Sequence, residues 1–170
     1  MNRYTIITII AIIAIIIPVA YSAMNIYTAE QLKFRWNQPG KFSYFELSNN
    51  GKIELCNAVP YPSNLKSFQI TPFYDGVSKG TFHIENISIE GSQSNIQQGR
   101  YISDDFVEAQ HMFMQMDFQF DGGDIRIDPR KMTVQVSIDT PIIGVIPYTT
   151  VSQYGGFDFD KLMNEENFGC

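Results

Sequence analysis

The residues that most invite a chemical reading form one short run, His111-Met112-Phe113-Met114-Gln115-Met116. Read as a β-strand, the run puts Met112, Met114 and Met116 on one face, and three soft thioether donors suit monovalent copper. His111 then falls on the other face and joins the sulfurs only through a bulge. Phe118 and Phe120 continue the Met face, which favours core packing, because flexible Met side chains fill irregular gaps in apolar cores. A second candidate is Asp121, Asp124 and Asp128 in DGGDIRID, where carboxylates around a Gly-rich bend offer oxygen ligands to calcium. The spacing and terminal Glu of an EF-hand are missing, so a solvated turn is the stronger reading. Asp104-Asp105 and Asp158, Asp160, Glu165 and Glu166 read as surface and tail charges.

No nucleophile stands in a recognisable catalytic setting. The chain has no Gly-x-Ser-x-Gly elbow, no histidine pair at metal spacing and no phosphate-binding Gly loop, so a non-catalytic protein without a cofactor is expected. Asn86-Ile87-Ser88 is a glycosylation acceptor pattern that an exported chain could use. The two cysteines, Cys56 and Cys170, are too few for a disulfide scaffold and wrongly spaced for zinc. Cys56 alternates with Lys52 and Glu54, so its thiol is expected on the outer face of its strand and within reach of solvent. Cys170 ends a charged tail that is expected to be mobile. Two unpaired thiols are the leading expectation, with an internal Cys56–Cys170 bridge and a link between chains as the alternatives.

These groups need a scaffold, and 170 residues allow one domain large enough for a continuous core. Hydrophobic residues are 44% and charged ones 18%, which excludes disorder. A net charge of -6, with the basic residues scattered, offers no patch for consecutive phosphates and argues against nucleic acid. From Thr5 to Ala23 the chain carries no charge, and at about 1.5 Å per residue that run nearly matches the roughly 30 Å hydrocarbon core of a bilayer. Arg3 before it puts the N-terminus in the cytoplasm and the rest outside, although Lys33 and Arg35 weaken the asymmetry. The competing reading is a cleaved signal peptide, with Ala20 and Ser22 at the small-residue positions of the cleavage site. Residues 1–24 are thus an anchor or signal peptide, 25–40 a stalk or first strand, 41–160 the domain and 161–170 a tail.

Within the domain, strands are expected over 42–48 and 52–57 around a hairpin at Asn49-Asn50-Gly51, and over 67–74 and 79–89 around Asp75-Gly76. A polar connection spans 91–105. Further strands are expected over 111–120, 133–139 and 142–151, the last mostly buried, with Asp121-Gly122-Gly123 as a turn. The resulting fold class is all-β, an antiparallel immunoglobulin/fibronectin-III-like β-sandwich preceded by one N-terminal transmembrane helix.

Two segments resemble the late-embryogenesis-abundant type-2 family, also called the water-stress and hypersensitive-response domain. They are NAVPYPSNLKSFQITPFYDGVSKG, 57–80, and TPIIGVIPYTTVSQYGG, 140–156. The first passes from an Asn through a proline loop into a strand and Gly turn; the second carries a Pro-hydrophobic-Ile-Gly segment and a closing strand. The resemblance covers roughly 45–160 and departs in its middle, where the polar connection and the Met-rich run match no motif. It implies a compact antiparallel sandwich, often membrane-anchored, with a stress-protective role and no established enzymatic activity. The combined expectation is a single-pass cell-membrane protein with an extracytoplasmic structural, protective or interaction module, its partners being the membrane and an envelope or surface protein. The rivals are a secreted ligand- or protein-binding domain and a Met-rich copper-handling protein.

Overall fold

The computed structural model describes residues 3–123 and 127–170. In chain order the elements are α1 (Arg3–Gln31), β1 (Lys33–Trp36), α2 (Tyr44–Ser48), β2 (Lys52–Asn57), β3 (Ser63–Tyr74), β4 (Val77–Ser78), β5 (Thr81–Ile89), β6 (Gln93–Gln98), β7 (Arg100–Ile102), α3 (Phe106–Phe120), β8 (Met132–Ile142), β9 (Ile146–Gly155) and α4 (Gly156–Met163). The strands form two antiparallel sheets, a small one ordered β1-β2-β6 and a large one ordered β7-β5-β3-β8-β9, with β4 hairpinned onto β3.

The two sheets share one core, as in a β-sandwich. Phe34 of β1 meets Phe68 of β3 edge-on at 5.2 Å between ring centroids and Tyr154 of β9 at 6.4 Å. On β8, Met132, Val134, Val136, Ile138 and Thr140 all point inward, the period-2 pattern of a strand with one face in the core. The chain passes from the small sheet to the large one at Gly99, between β6 and β7, where a Cβ would collide with the ring of buried Phe82. The Asp75-Gly76 turn is confirmed, with both residues at positive φ (52° and 78°), as a two-residue hairpin requires.

Three helices stand where the sequence reading placed strands or a tail. Residues 42–48 do not pair with β2. Ser43 and Glu46 form an S-x-x-E start in which the Ser43 hydroxyl accepts from the Glu46 N–H, and the chain turns into α2. Residues 106–120 form α3 rather than a strand. Asp105 caps it by accepting from the Glu108 N–H, and Ala109, Met112, Phe113 and Met116 are buried at helical spacing. Its C-terminus closes with Gly122 at φ 89°, where the N–H of Gly123 reaches the Phe118 carbonyl and that of Gly122 the Gln119 carbonyl. The third, α4, buries Phe159 and Met163. Tyr44, Phe113 and Phe159 form the aromatic centre that all three helices share, Tyr44 lying 6.0 Å from each of the other two rings.

Two further expectations change. The polar connection 91–105 contains β6 and β7, with β6 solvent-exposed along the edge of the small sheet. The closing strand β9 is mostly exposed rather than buried, because it is the outermost strand of the large sheet.

Candidate functional site

The end of the domain nearest the N-terminal helix is built from α1 and the adjoining ends of β3, β8 and β9. The helix does not stop at Ala23. It continues to Gln31, and its last turns turn from apolar to mixed composition because one side of them must bond to protein. Tyr4–Gln31 holds a window long and apolar enough to cross a membrane, and that window is almost entirely exposed. Burial begins toward the end of the helix: Ser22, Asn25, Thr28 and Ala29 are buried, and Leu32 completes the contact with the core.

The docking is carried by hydrogen bonds to strand ends, where backbone groups have lost their ladder partners. The Asn25 side-chain oxygen accepts from the Asn64 N–H at 3.1 Å and the Ser63 hydroxyl at 3.3 Å. Asn64 in turn donates its side-chain amide to the Tyr21 hydroxyl at 2.6 Å. Ser22 donates to the Pro18 carbonyl at 2.8 Å and accepts from the Ile143 N–H at 2.7 Å. Tyr148 of β9 donates to Glu30 at 3.3 Å. Residues 25–31 are therefore a docked helix, not a stalk.

The opposite, outer face of the large sheet is polar and open. Asp139 accepts from the hydroxyls of Ser67 and Thr149 and from Gln69, and beside it a shallow hollow of about 390 Å³ is lined by Lys66, His83, Glu85 and Asn86. Among the described residues the buried His83 Nε2 has no hydrogen-bond partner, the Glu85 carboxylate lying 3.8 Å away. Asn86, the glycosylation candidate, is exposed at φ 53°, at a point of β5 where the pairing with β3 skips one residue.

The remaining candidates are separated. Met112 and Met116 face the core one helical turn apart, whereas Met114 is 54% exposed on the other side of α3. A helix sends residues two apart in different directions, so the three thioethers do not share a face and the copper reading loses its geometry. Among the calcium candidates, Asp121 is the C-cap of α3 and Asp128 accepts from the Arg130 N–H at the start of a 3-10 turn; Asp124 lies outside the described residues. No group of three or more His, Cys, Asp or Glu is placed to hold a metal among the described residues.

Cys56 and Cys170 are joined in a disulfide with their Cα atoms 5.6 Å apart, so the expectation of two unpaired thiols is corrected. The Cys56 sulfur does lie on the outer side of the small sheet, yet it is fully buried because the C-terminal tail covers it. The tail is tied down rather than mobile. Lys33 donates to the Gly169 carbonyl at 2.9 Å, Arg35 donates to the Glu166 carbonyl at 3.1 Å, and the Arg35 guanidinium stacks 4.5 Å from the centre of the Phe168 ring. Arg35 also pairs with Glu54 at 2.7 Å. Burial works to raise the Glu54 carboxyl, but bonds from Ser94 and Arg35 outweigh it and hold the carboxyl below its ordinary value.

The buried titratable groups have structural employment. Asp117 of α3 sits at the start of α2, where its carboxylate accepts from the Ser43 hydroxyl and from the Tyr44 and Phe45 N–H groups at 2.7–2.9 Å. Burial raises its pKa, and those three bonds offset part of the rise. Burial likewise raises Asp160, with a hydrogen bond from Asn164 opposing it, and raises the hydroxyls of Tyr44 and Tyr101. Tyr44 donates to the Gly156 carbonyl and Tyr101 to the Lys79 carbonyl. Asn57, the residue that opens the first family-like segment, is wholly buried. Its amide donates to the carbonyls of Tyr61, Ile89 and Glu90 and pins the proline loop.

No family model and no curated protein matches the chain. Among solved structures, a crystal structure of a protein from Archaeoglobus fulgidus matches at 10% identity, covering 73% of this chain and 94% of that one, with a TM-score of 0.29. A likeness that low carries no argument. These comparisons lend the late-embryogenesis-abundant resemblance no support.

Proposed function

We propose that the protein is a single-pass membrane protein whose β-rich domain stands on the extracytoplasmic side as a non-catalytic structural or interaction module. The observation that carries this reading is the docking of α1. Tyr21 and Ser22, on the N-terminal side of the signal-peptide cleavage point, make bonds to Asn64 and Ile143 that cleavage would remove. The helix is thus part of the domain's own hydrogen-bond system and not a detachable leader. The Cys56–Cys170 bridge favours the exported side, since disulfides persist in oxidising compartments. The non-catalytic reading is supported by Asp117, which accepts at the start of α2, and by Tyr44 and Tyr101, whose hydroxyls donate to backbone carbonyls. An interaction role is supported by β9, an outermost strand with no charged side chain from Ile146 to Gly155, the kind of edge to which another strand can add. A protective role of the kind the family resemblance implies would be one form of such a module.

Labelling intact cells with a membrane-impermeant amine reagent tests the placement, because Lys41, Lys52 and Lys66 are exposed on the domain. Modification of these lysines before lysis is expected. Modification only after lysis would put the domain in the cytoplasm and reverse the orientation.

A further inference from the structure

We propose that the tip of the β8–β9 hairpin is a second membrane contact, dipping into the edge of the same leaflet that α1 enters from the domain side. This inference rests on the anchored reading above and adds a contact that reading does not need.

Between Pro141 and Pro147 the chain runs Ile142-Ile143-Gly144-Val145-Ile146, without one polar side chain. Val145 is 83% exposed, Ile146 56% and Ile143 48%. Hairpin tips in water draw on Asn, Asp and Gly, which tolerate positive φ and keep polar groups in solvent. Here Gly144 takes φ 72°, but Ile143 takes φ 54°, a left-handed conformation that a β-branched residue enters at a cost. Neither turn chemistry nor solubility accounts for an isoleucine there. An apolar solvent does.

The position of the tip identifies that solvent. The Ile143 N–H bonds to Ser22, and Ser22 lies one residue before the end of the uncharged Thr5–Ala23 run. A run of that length, at about 1.5 Å per residue, fills the hydrocarbon core, so its last residues stand where acyl chains give way to headgroups. Tyr21, half-exposed beside Ser22, is the aromatic type enriched at that level. Val19 and Ile15, both exposed and three and seven residues before Ser22, lie on the side of α1 whose Ser22 bonds the tip, so the apolar surface continues from helix to hairpin. Its backbone also suits a dry setting, where an unpaired N–H is costly. The Val145 N–H bonds to the Ile142 carbonyl, the Ile143 N–H to Ser22, and Ile142 pairs with Ile146 across the hairpin. Three short side chains would not hold a protein to a bilayer unaided. Beside a spanning helix, they fix how the domain leans against the surface.

The full chain in phosphatidylcholine vesicles, with and without brominated acyl chains, provides the test. Val145→Trp reports on the tip, Ile13→Trp on the middle of α1, and Val77→Trp on the β3–β4 turn at the far end of the sheet. Wild-type protein supplies the background of buried Trp36. The added emission of Val145→Trp and Ile13→Trp is expected to be quenched by the brominated lipid and spared by aqueous iodide, and that of Val77→Trp to behave the opposite way. If Val145→Trp follows Val77→Trp while Ile13→Trp is quenched by lipid, the tip is in water and the inference falls with the anchor intact. If Ile13→Trp also escapes the lipid, the anchored reading fails, and the tip contact with it.

Discussion

Met114 and Met116 are two residues apart and occupy different solvents, and the contrast is measurable. Met116 is fully buried in the core beneath α3, so Met116→Ala is expected to cost about 2–5 kcal/mol through lost contacts and the cavity left behind. Met114 is more than half exposed, and Met114→Ser is expected to change stability by no more than about 0.5 kcal/mol. Urea denaturation of the two variants decides it, and equal losses would mean that the strand reading was right. Asp117→Ala removes three bonds at the start of α2 and is expected to cost about 1–3 kcal/mol in the same assay. The acids also give a pH dependence. Asp117 and Asp160 both have folded pKa values raised by burial, so above the unfolded value the folded chain retains protons that the unfolded chain has released. Their contribution to stability is therefore greatest at low pH and falls as pH rises through the raised values. Asp160→Asn keeps an acceptor for Asn164 and is expected to flatten that fall in a series of melting curves from the carboxylate range to neutral pH; an unchanged slope would remove Asp160 from the explanation.

At the scale of elements, the disulfide is a long-range covalent constraint, linking β2 to Cys170 across a separation of 114. Removing it with Cys56→Ser and Cys170→Ser is expected to cost about 2–5 kcal/mol and to release the tail, read as lower denaturation midpoints and early proteolysis after Met163. Loss of stability without faster cleavage would mean that Lys33 and Arg35 hold the tail unaided. The strands β2, β3, β5 and β8 were legible in the sequence because each has one face in the core and the other toward solvent, which writes period 2 into the residue order. The helices were misread for a specific reason. In 111–120 the alternating Met and Phe residues imitate a strand, while Ala109, Met112, Phe113, Met116 and Phe120 carry an equally good helical spacing. The deciding signals were local: Ser43-x-x-Glu46 and Asp105-x-x-Glu108 are both helix-start patterns. The disulfide was legible only as an alternative ranked below two free thiols, since its geometry depends on how Lys33 and Arg35 hold the tail over β2, a tertiary fact with no local signature.

At the scale of the whole molecule, α1 joins two environments in one continuous helix: an exposed apolar length suited to lipid and a final stretch bonded to strand ends. The apolar helix was visible as an uncharged run, but its fusion to the domain was not, because the bonds of Ser22 and Asn25 reach residues about 120 and 40 positions away in sequence. The central claim is that the helix is retained with this fusion intact, against the alternative of an exported domain freed by cleavage. Carbonate extraction of membranes followed by N-terminal sequencing tests it most directly. The protein is expected to stay in the membrane pellet with the residues before Tyr4 still attached, whereas a soluble product beginning at Ala23 would contradict the claim.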